Sequence, residues 1–198
     1  MNKEITESGL VFVFSDISDA VKFDDTAFYR NEFNALPEGK GVDIIADSQD
    51  FIQLIEVKNC TGHETENVWR TSINNSKLNS APHDLDVENR DSLDIEVAKK
   101  IASTLTCIYG AWSKNAVSPK ANELEFIWKG LSATKLVSHK KRIVVILYLE
   151  GNFGTKTRSK RMIMKSIQDS IKTKLKWLNC SIHVVDKDTY SDRYFYVK

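Results

Sequence analysis

Seven consecutive apolar residues at 143–149 (IVVILYL) set the first constraint on this chain. Such a run fits a strand covered on both faces, which requires a layer above it and a layer below. Polar flanks bound it: His139-Lys140-Lys141-Arg142 before and Glu150-Gly151-Asn152 after. Two amphipathic stretches lie on either side in sequence. Leu93, Val97, Ile101, Leu105 and Ile108 recur at helical spacing over 92–108, with Asp91 placed to cap the start. Ile163, Ile167, Ile171, Leu175 and Leu178 make a second stripe over 160–178.

The remaining elements are shorter. Residues 10–14 (LVFVF) and 181–185 (SIHVV) read as strands, and 194–197 as an edge strand. Residues 16–22 read as a turn or brief helix. The stretch 26–36 carries a loose helical pattern through Phe28, Tyr29, Phe33 and Leu36, stopped by Pro37 and Gly39. Residues 122–131 suit another short helix. From 59 to 90 the periodicity fades, which predicts a long, exposed or partly mobile excursion with helical character around 64–72. The sum is one domain over 1–198, an α/β three-layer architecture with a central mixed sheet flanked by helices.

Composition narrows the class. Apolar residues at 41% and charged residues at 28% fit a soluble globular protein, and the longest apolar run is far too short for a membrane span. The first residues, MNKEITESGLVFVFSD, lack the basic, apolar and small-residue order of a secretory signal. Three widely spaced cysteines, Cys60, Cys107 and Cys180, match neither a zinc site nor a disulfide framework. A cytoplasmic protein with reduced thiols is expected. The net charge of +1 conceals an asymmetry: residues 1–57 hold 12 acids against four Lys or Arg, which leaves 58–198 at +9. An acidic metal centre beside a basic nucleic-acid track would produce this, and so would an uneven polar surface.

The stretch GVDIIADSQDFIQLIEVKN at 41–59 poses the functional question, because it sets Asp43, Glu56 and Lys58 among apolar residues. Two strand-like runs, 42–46 and 51–57, flank polar Asp47, Ser48, Gln49 and Asp50, the pattern of an antiparallel hairpin. A turn centred between Ser48 and Gln49 sets Asp43 opposite Leu54, on the face shared by Glu56 and Lys58. Asp43 and Glu56 are then diagonal neighbours, roughly 7–8 Å apart at the backbone. The other face takes Val42, Ile44, Ala46, Phe51, Ile55 and Val57, with Gln53 the single polar residue, and is expected to lie on a helix. Two acids so close repel unless positive charge sits between them. Lys58 supplies some; Mg²⁺ or Mn²⁺, which favour carboxylate oxygens, would supply more. Taken singly, Asp43 suits a cap or a strand end, and Lys58 suits a surface ion pair worth about 0–1 kcal/mol.

Gly41-Val42-Asp43, twelve intervening residues and then Glu56-Val57-Lys58 resemble the PD-(D/E)XK nuclease superfamily, with Val42 at the motif's weakly kept proline. The order of a leading helix, a hairpin, a following helix and a buried strand is similar too. The resemblance implies a restriction-endonuclease-like fold and metal-dependent hydrolysis of phosphodiester bonds in nucleic acid, DNA first. It implies Asp43 and Glu56 as metal ligands with the Val57 carbonyl, and Lys58 as the group that assists the attacking water. A further acid from the leading helix falls to Glu32, with Asp24 and Asp25 as rivals. An inactive nucleic-acid-binding or protein-interaction module of the same fold is the alternative, and a structural domain without nucleic acid is a third.

Lys156, Arg158, Lys160, Arg161 and Lys165 are the candidate phosphate-binding residues. Eight Lys or Arg and one acid, Asp169, lie between 156 and 176. The wet face of an amphipathic helix has the same composition. Arg70, Trp69 and His63 lie near the hairpin in sequence without a spacing that secures a role. His83, His139 and His183 show no mutual ligand spacing. Cutting both strands of a duplex at once would call for a homodimer.

Overall fold

The computed structural model describes residues 2–15, 17–75, 91–132, 136, 138 and 141–198. His83, His139 and the 76–90 part of the expected excursion lie outside the described residues. The elements in chain order are β1 (Lys3–Glu7), β2 (Leu10–Phe14), β3 (Ile17–Lys22), β4 (Ile44–Ser48), β5 (Phe51–Asn59), α1 (Glu64–Asn67), α2 (Leu93–Lys114), α3 (Glu125–Gly130), β6 (Arg142–Glu150), α4 (Lys160–Lys174), β7 (Cys180–Val185) and β8 (Tyr196–Val197).

The main sheet has the order β3-β4-β5-β6-β7, antiparallel from β3 to β5 and parallel from β5 to β7. Helices α2 and α4 make the two parallel crossovers, as parallel neighbours require. This is an α/β architecture with a central mixed sheet flanked by helices.

The apolar run on β6 does what its composition demands. Ile143, Val145, Leu147 and Leu149 join the cluster formed with Val97, Ile101, Ile163 and Ile167 of the helices. Val144, Ile146 and Tyr148 face the other way, toward Phe12, Phe14 and Phe195. Those aromatic residues belong to or adjoin a three-stranded sheet, β1-β2-β8, and the Phe12 and Tyr148 rings meet edge-on at 5.1 Å. The apolar hairpin face with Ile44, Ala46, Phe51, Ile55 and Val57 is therefore covered by a small sheet rather than by the expected helix, and Val42 joins the helix-side cluster instead.

Several local expectations are corrected. Residues 17–22 form the edge strand β3, whose half-buried charged residues Asp19 and Lys22 hide the strand pattern. The leading helix contracts to a wide turn at Tyr29–Phe33, closed by the Asn34 N–H donating to the Tyr29 carbonyl at 2.8 Å. Ser92, not Asp91, is the N-cap residue of α2, while Asp91 pairs with Lys99 at 2.7 Å. Within the expected excursion, Trp69, Arg70 and Thr71 are buried, so residues 59–75 are not an exposed loop throughout. The short helix expected at 122–131 is a tight turn, Pro119–Leu124, followed by α3.

Candidate functional site

The hairpin pairs Ile44 with Ile55 and Ala46 with Gln53, two positions along β5 from the expected register. An even shift keeps every side chain on its expected face. Extended by one residue, this register sets Asp43 directly across from Glu56. Regular pairing stops at Ile44, and neighbouring groups pin Asp43 where the ladder ends. The Phe23 N–H donates to the Asp43 carbonyl at 2.8 Å, and the Asp43 N–H donates to Ile55 at 3.1 Å. The Thr104 hydroxyl of α2 accepts from the Val42 N–H at 3.0 Å. Gly41 permits this approach, because a Cβ there would lie 2.5 Å from the Phe23 ring.

The acids converge under α2. The Lys100 ammonium donates to both Glu56 oxygens at 2.7 Å and lies 3.3 Å from Asp43 Oδ1. Asp43 Oδ2 accepts from the Val57 N–H at 2.7 Å, which fixes the carboxylate and turns its other oxygen to the shared cation. Lys58 reaches Glu56 Oε1 at 2.7 Å and Glu96 Oε1 at 3.0 Å, and Arg70 pairs with the second Glu96 oxygen. Asp43, Glu56 and Glu96 thus face Lys58, Lys100 and Arg70 in a charge-balanced network.

Glu56 is fully buried. Burial pushes its carboxyl up to about 7, against the pull of the Lys58 and Lys100 ammoniums. Burial disfavours the charge on Lys58 and Lys100 too, yet Glu56 and its neighbouring acids outweigh it and hold both above the ordinary lysine value. Glu96 is also desolvated, but Lys58 and Arg70 lead the groups that bring it down to about 2.

Of the expected residues, Asp43, Glu56 and Lys58 meet. The N–H and C=O of one strand residue point to the same edge, so the Val57 carbonyl shares the edge that Asp43 occupies. Glu32 does not join them. It pairs with Lys114 at 2.6 Å and accepts from Ser118 at 2.6 Å, fourteen residues along α2 from Lys100, about 20 Å away. Asp24 lies nearer. Burial raises its carboxyl, Lys22 opposes the rise, Asp25 and Asp43 add to it, and its buried Oδ1 has no hydrogen-bond partner among the described residues. Asp25 is exposed and pairs with Arg30. Among the described residues, no three acids, histidines or cysteines gather as metal ligands.

The basic candidates divide. Lys160 pairs with Asp186 at 2.6 Å and Lys165 with Asp169 at 2.8 Å, whereas Lys156, Arg158 and Arg161 are exposed and make no ion pair among the described residues. Because β6 runs parallel to β5 with Lys58 beside Leu149, the 151–159 loop leaves the same end of the sheet as the acid cluster. His63 is exposed beside Glu66, and His183 lies against Tyr194; neither touches the acids. Trp69 is buried cover.

Sequence reading missed Lys100 and Glu96. For Lys100 the available signal was position, because Leu93, Val97, Lys100, Thr104, Cys107 and Ala111 form one buried helix face with two polar members, Lys100 and Thr104; half-buried Glu96 lies off that face. Polar groups in a buried stripe require partners, and these two meet Glu56 and Val42.

A family model described as a family of unknown function, DUF6661, matches residues 26–198. The chain belongs to that family. The match spans Asp43, Glu56, Lys58 and Lys100 and begins after Asp24. No curated protein and no solved structure matches the chain. No described helix is long and apolar enough to cross a membrane.

Proposed function

We propose that this member of the DUF6661 family is a divalent-metal-dependent nuclease with a restriction-endonuclease-like core, acting on nucleic acid and on DNA first. The observation that carries the reading is the convergence of Asp43 and Glu56 on one cationic atom, with Lys58 beside them. The donors are all oxygen, a set that suits Mg²⁺ or Mn²⁺ rather than zinc. The hairpin, crossover helix and parallel strand follow in the superfamily's order.

In this reading Asp43 and Glu56 would hold the ion, with the Val57 carbonyl on the same edge; Asp24 lies nearer than Glu32 but does not gather with them as a third ligand. A bound Mg²⁺ would polarise the phosphate and acidify a water. Lys58, held forward by Glu96, would donate to the attacking water or to a non-bridging phosphoryl oxygen as charge grows there. Arg70 holds Glu96 from behind. Lys156, Arg158 and Arg161 supply exposed positive charge for backbone phosphates without reading bases. A reduced cytoplasmic setting accords with the three free cysteines, and cutting a duplex through both strands would still require a homodimer.

The test is incubation of plasmid and single-stranded DNA with Mg²⁺, Mn²⁺ or EDTA. Wild type should cleave only with metal. Asp43→Ala and Lys58→Ala should lose about 10²-fold or more of that activity while keeping their circular dichroism. No metal-dependent cleavage by wild type, or wild-type activity in Lys58→Ala, would remove the assignment.

One observation favours a second reading. Lys100 already supplies the shared cation, and the network balances its charge without a metal. An inactive binding module of the same fold would hold its acids in this way.

A further inference from the structure

Resting on the metal-site reading, we infer that Lys100 is the resident counter-ion of this site and that a divalent ion enters by displacing its ammonium from between Asp43 and Glu56. Lys100 belongs to a helix, not to the hairpin that carries the acids, so its side chain can leave without disturbing their strands. Among the described residues its ammonium makes three hydrogen bonds, two at 2.7 Å and one at 3.3 Å, all with the carboxylates that would ligate the ion.

Sterics and charge both make occupancy exclusive. A divalent ion in contact with the same oxygens would lie almost on top of the ammonium, and two cations there repel strongly at low dielectric. Adding the ion to the balanced network would leave two uncompensated positive charges in a site where Glu56 is fully buried. Exchanging it for Lys100 halves that excess. Lys58 need not move, because Glu96 holds it from the other side at 3.0 Å. The two lysines therefore have different parts: Lys58 is fixed beside the reacting groups, and Lys100 excludes metal until it is displaced.

Competition of this kind lowers apparent metal affinity by the fraction of time that the site stands open. If Lys100 occupies it for all but about a tenth of the time, its removal tightens binding by about tenfold. The experiment is calorimetric titration of Mn²⁺ into wild type and Lys100→Met at neutral pH, with no nucleic acid present. The expected result is a dissociation constant lower in Lys100→Met by about tenfold or more. Should Lys100→Met fail to fold without metal, wild type with ¹³C-labelled lysines gives the second readout. Mg²⁺ should shift the Lys100 Cε resonance, identified by its loss in Lys100→Arg, and leave the Lys174 resonance in place. Equal or weaker Mn²⁺ binding by Lys100→Met, or an unmoved Lys100 resonance at saturating Mg²⁺, would overturn displacement while the metal site stands. No binding by either chain at millimolar metal would overturn displacement together with the reading on which it rests.

Discussion

Two buried acids meet the first turns of α2, and their surroundings differ in kind. Asp94 accepts from the Ser92 and Ser170 hydroxyls at 2.6 and 2.7 Å, from the Asn74 N–H at 3.1 Å and from one ammonium, Lys174, at 2.7 Å. Desolvation opposes its charge, but these donors win and hold its carboxyl below the ordinary value. Glu56 is as deeply buried, yet its side-chain partners among the described residues are two ammoniums, and its carboxyl is pushed upward. Hydroxyl and amide dipoles satisfy an anion and go no further; mobile ammoniums can be exchanged for another cation. The Asp94 cluster ties α2 to α4 and to the 72–75 turn. The Glu56 cluster places a second acid, Asp43, against the same cation.

The largest effect that would sharpen this contrast is loss of the tie. Asp94→Ala strands the Lys174 ammonium and the neutral donors and should cost about 3 kcal/mol in denaturant unfolding, while changing Mn²⁺ affinity little. Asp43→Ala should do the reverse, losing less stability and most of the Mn²⁺ affinity. A metal-binding defect in Asp94→Ala equal to that of Asp43→Ala would dissolve the distinction.

A smaller effect follows from Glu96, which links Lys58 to Arg70. Its folded value of about 2 lies below the ordinary 4.5, so its charge stabilises the fold above roughly pH 4.5 and that contribution disappears as pH falls toward 2. Glu96→Gln should therefore be less stable than wild type by about 2 kcal/mol at neutral pH, with the two curves converging in acid. A constant difference across that range would break the account of Glu96.

The smallest difference is between two amides. With its carboxyl near 7, Glu56 gives up little at neutral pH when it becomes Gln, since Lys100 keeps Asp43 and Lys58 keeps Glu96. Asp94→Asn removes a charge that its donors favour. It should melt lower than Glu56→Gln, by about 2–4 °C for each kcal/mol of difference. The opposite order would show the Glu56 carboxylate to be the better satisfied of the two.

How much of this the amino-acid order reveals depends on the range of the interaction. The face shared by Asp43, Glu56 and Lys58 was legible because side-chain parity survives an even register shift, and the pairing moved by two. The β6 run announced an interior strand because every residue from Ile143 to Glu150 is buried. Edge strand β3 was not legible, since its charges at Asp19 and Lys22 carry no apolar alternation. Neither was the small sheet over the hairpin, which forms between the two chain ends when β8 pairs with β2. Lys100 looked like one more charge on an amphipathic helix; only its neighbours Val97 and Thr104 on the buried face set it apart. Its partners lie 44 and 57 residues earlier, a distance that no local pattern spans.

The most direct measurement is an anomalous difference map from a crystal soaked in Mn²⁺. The account predicts one peak about 2 Å from oxygens of both Asp43 and Glu56, with the Lys100 ammonium turned out of the site. A map without a peak there at saturating Mn²⁺, and with Lys100 still bridging the two carboxylates, would contradict it.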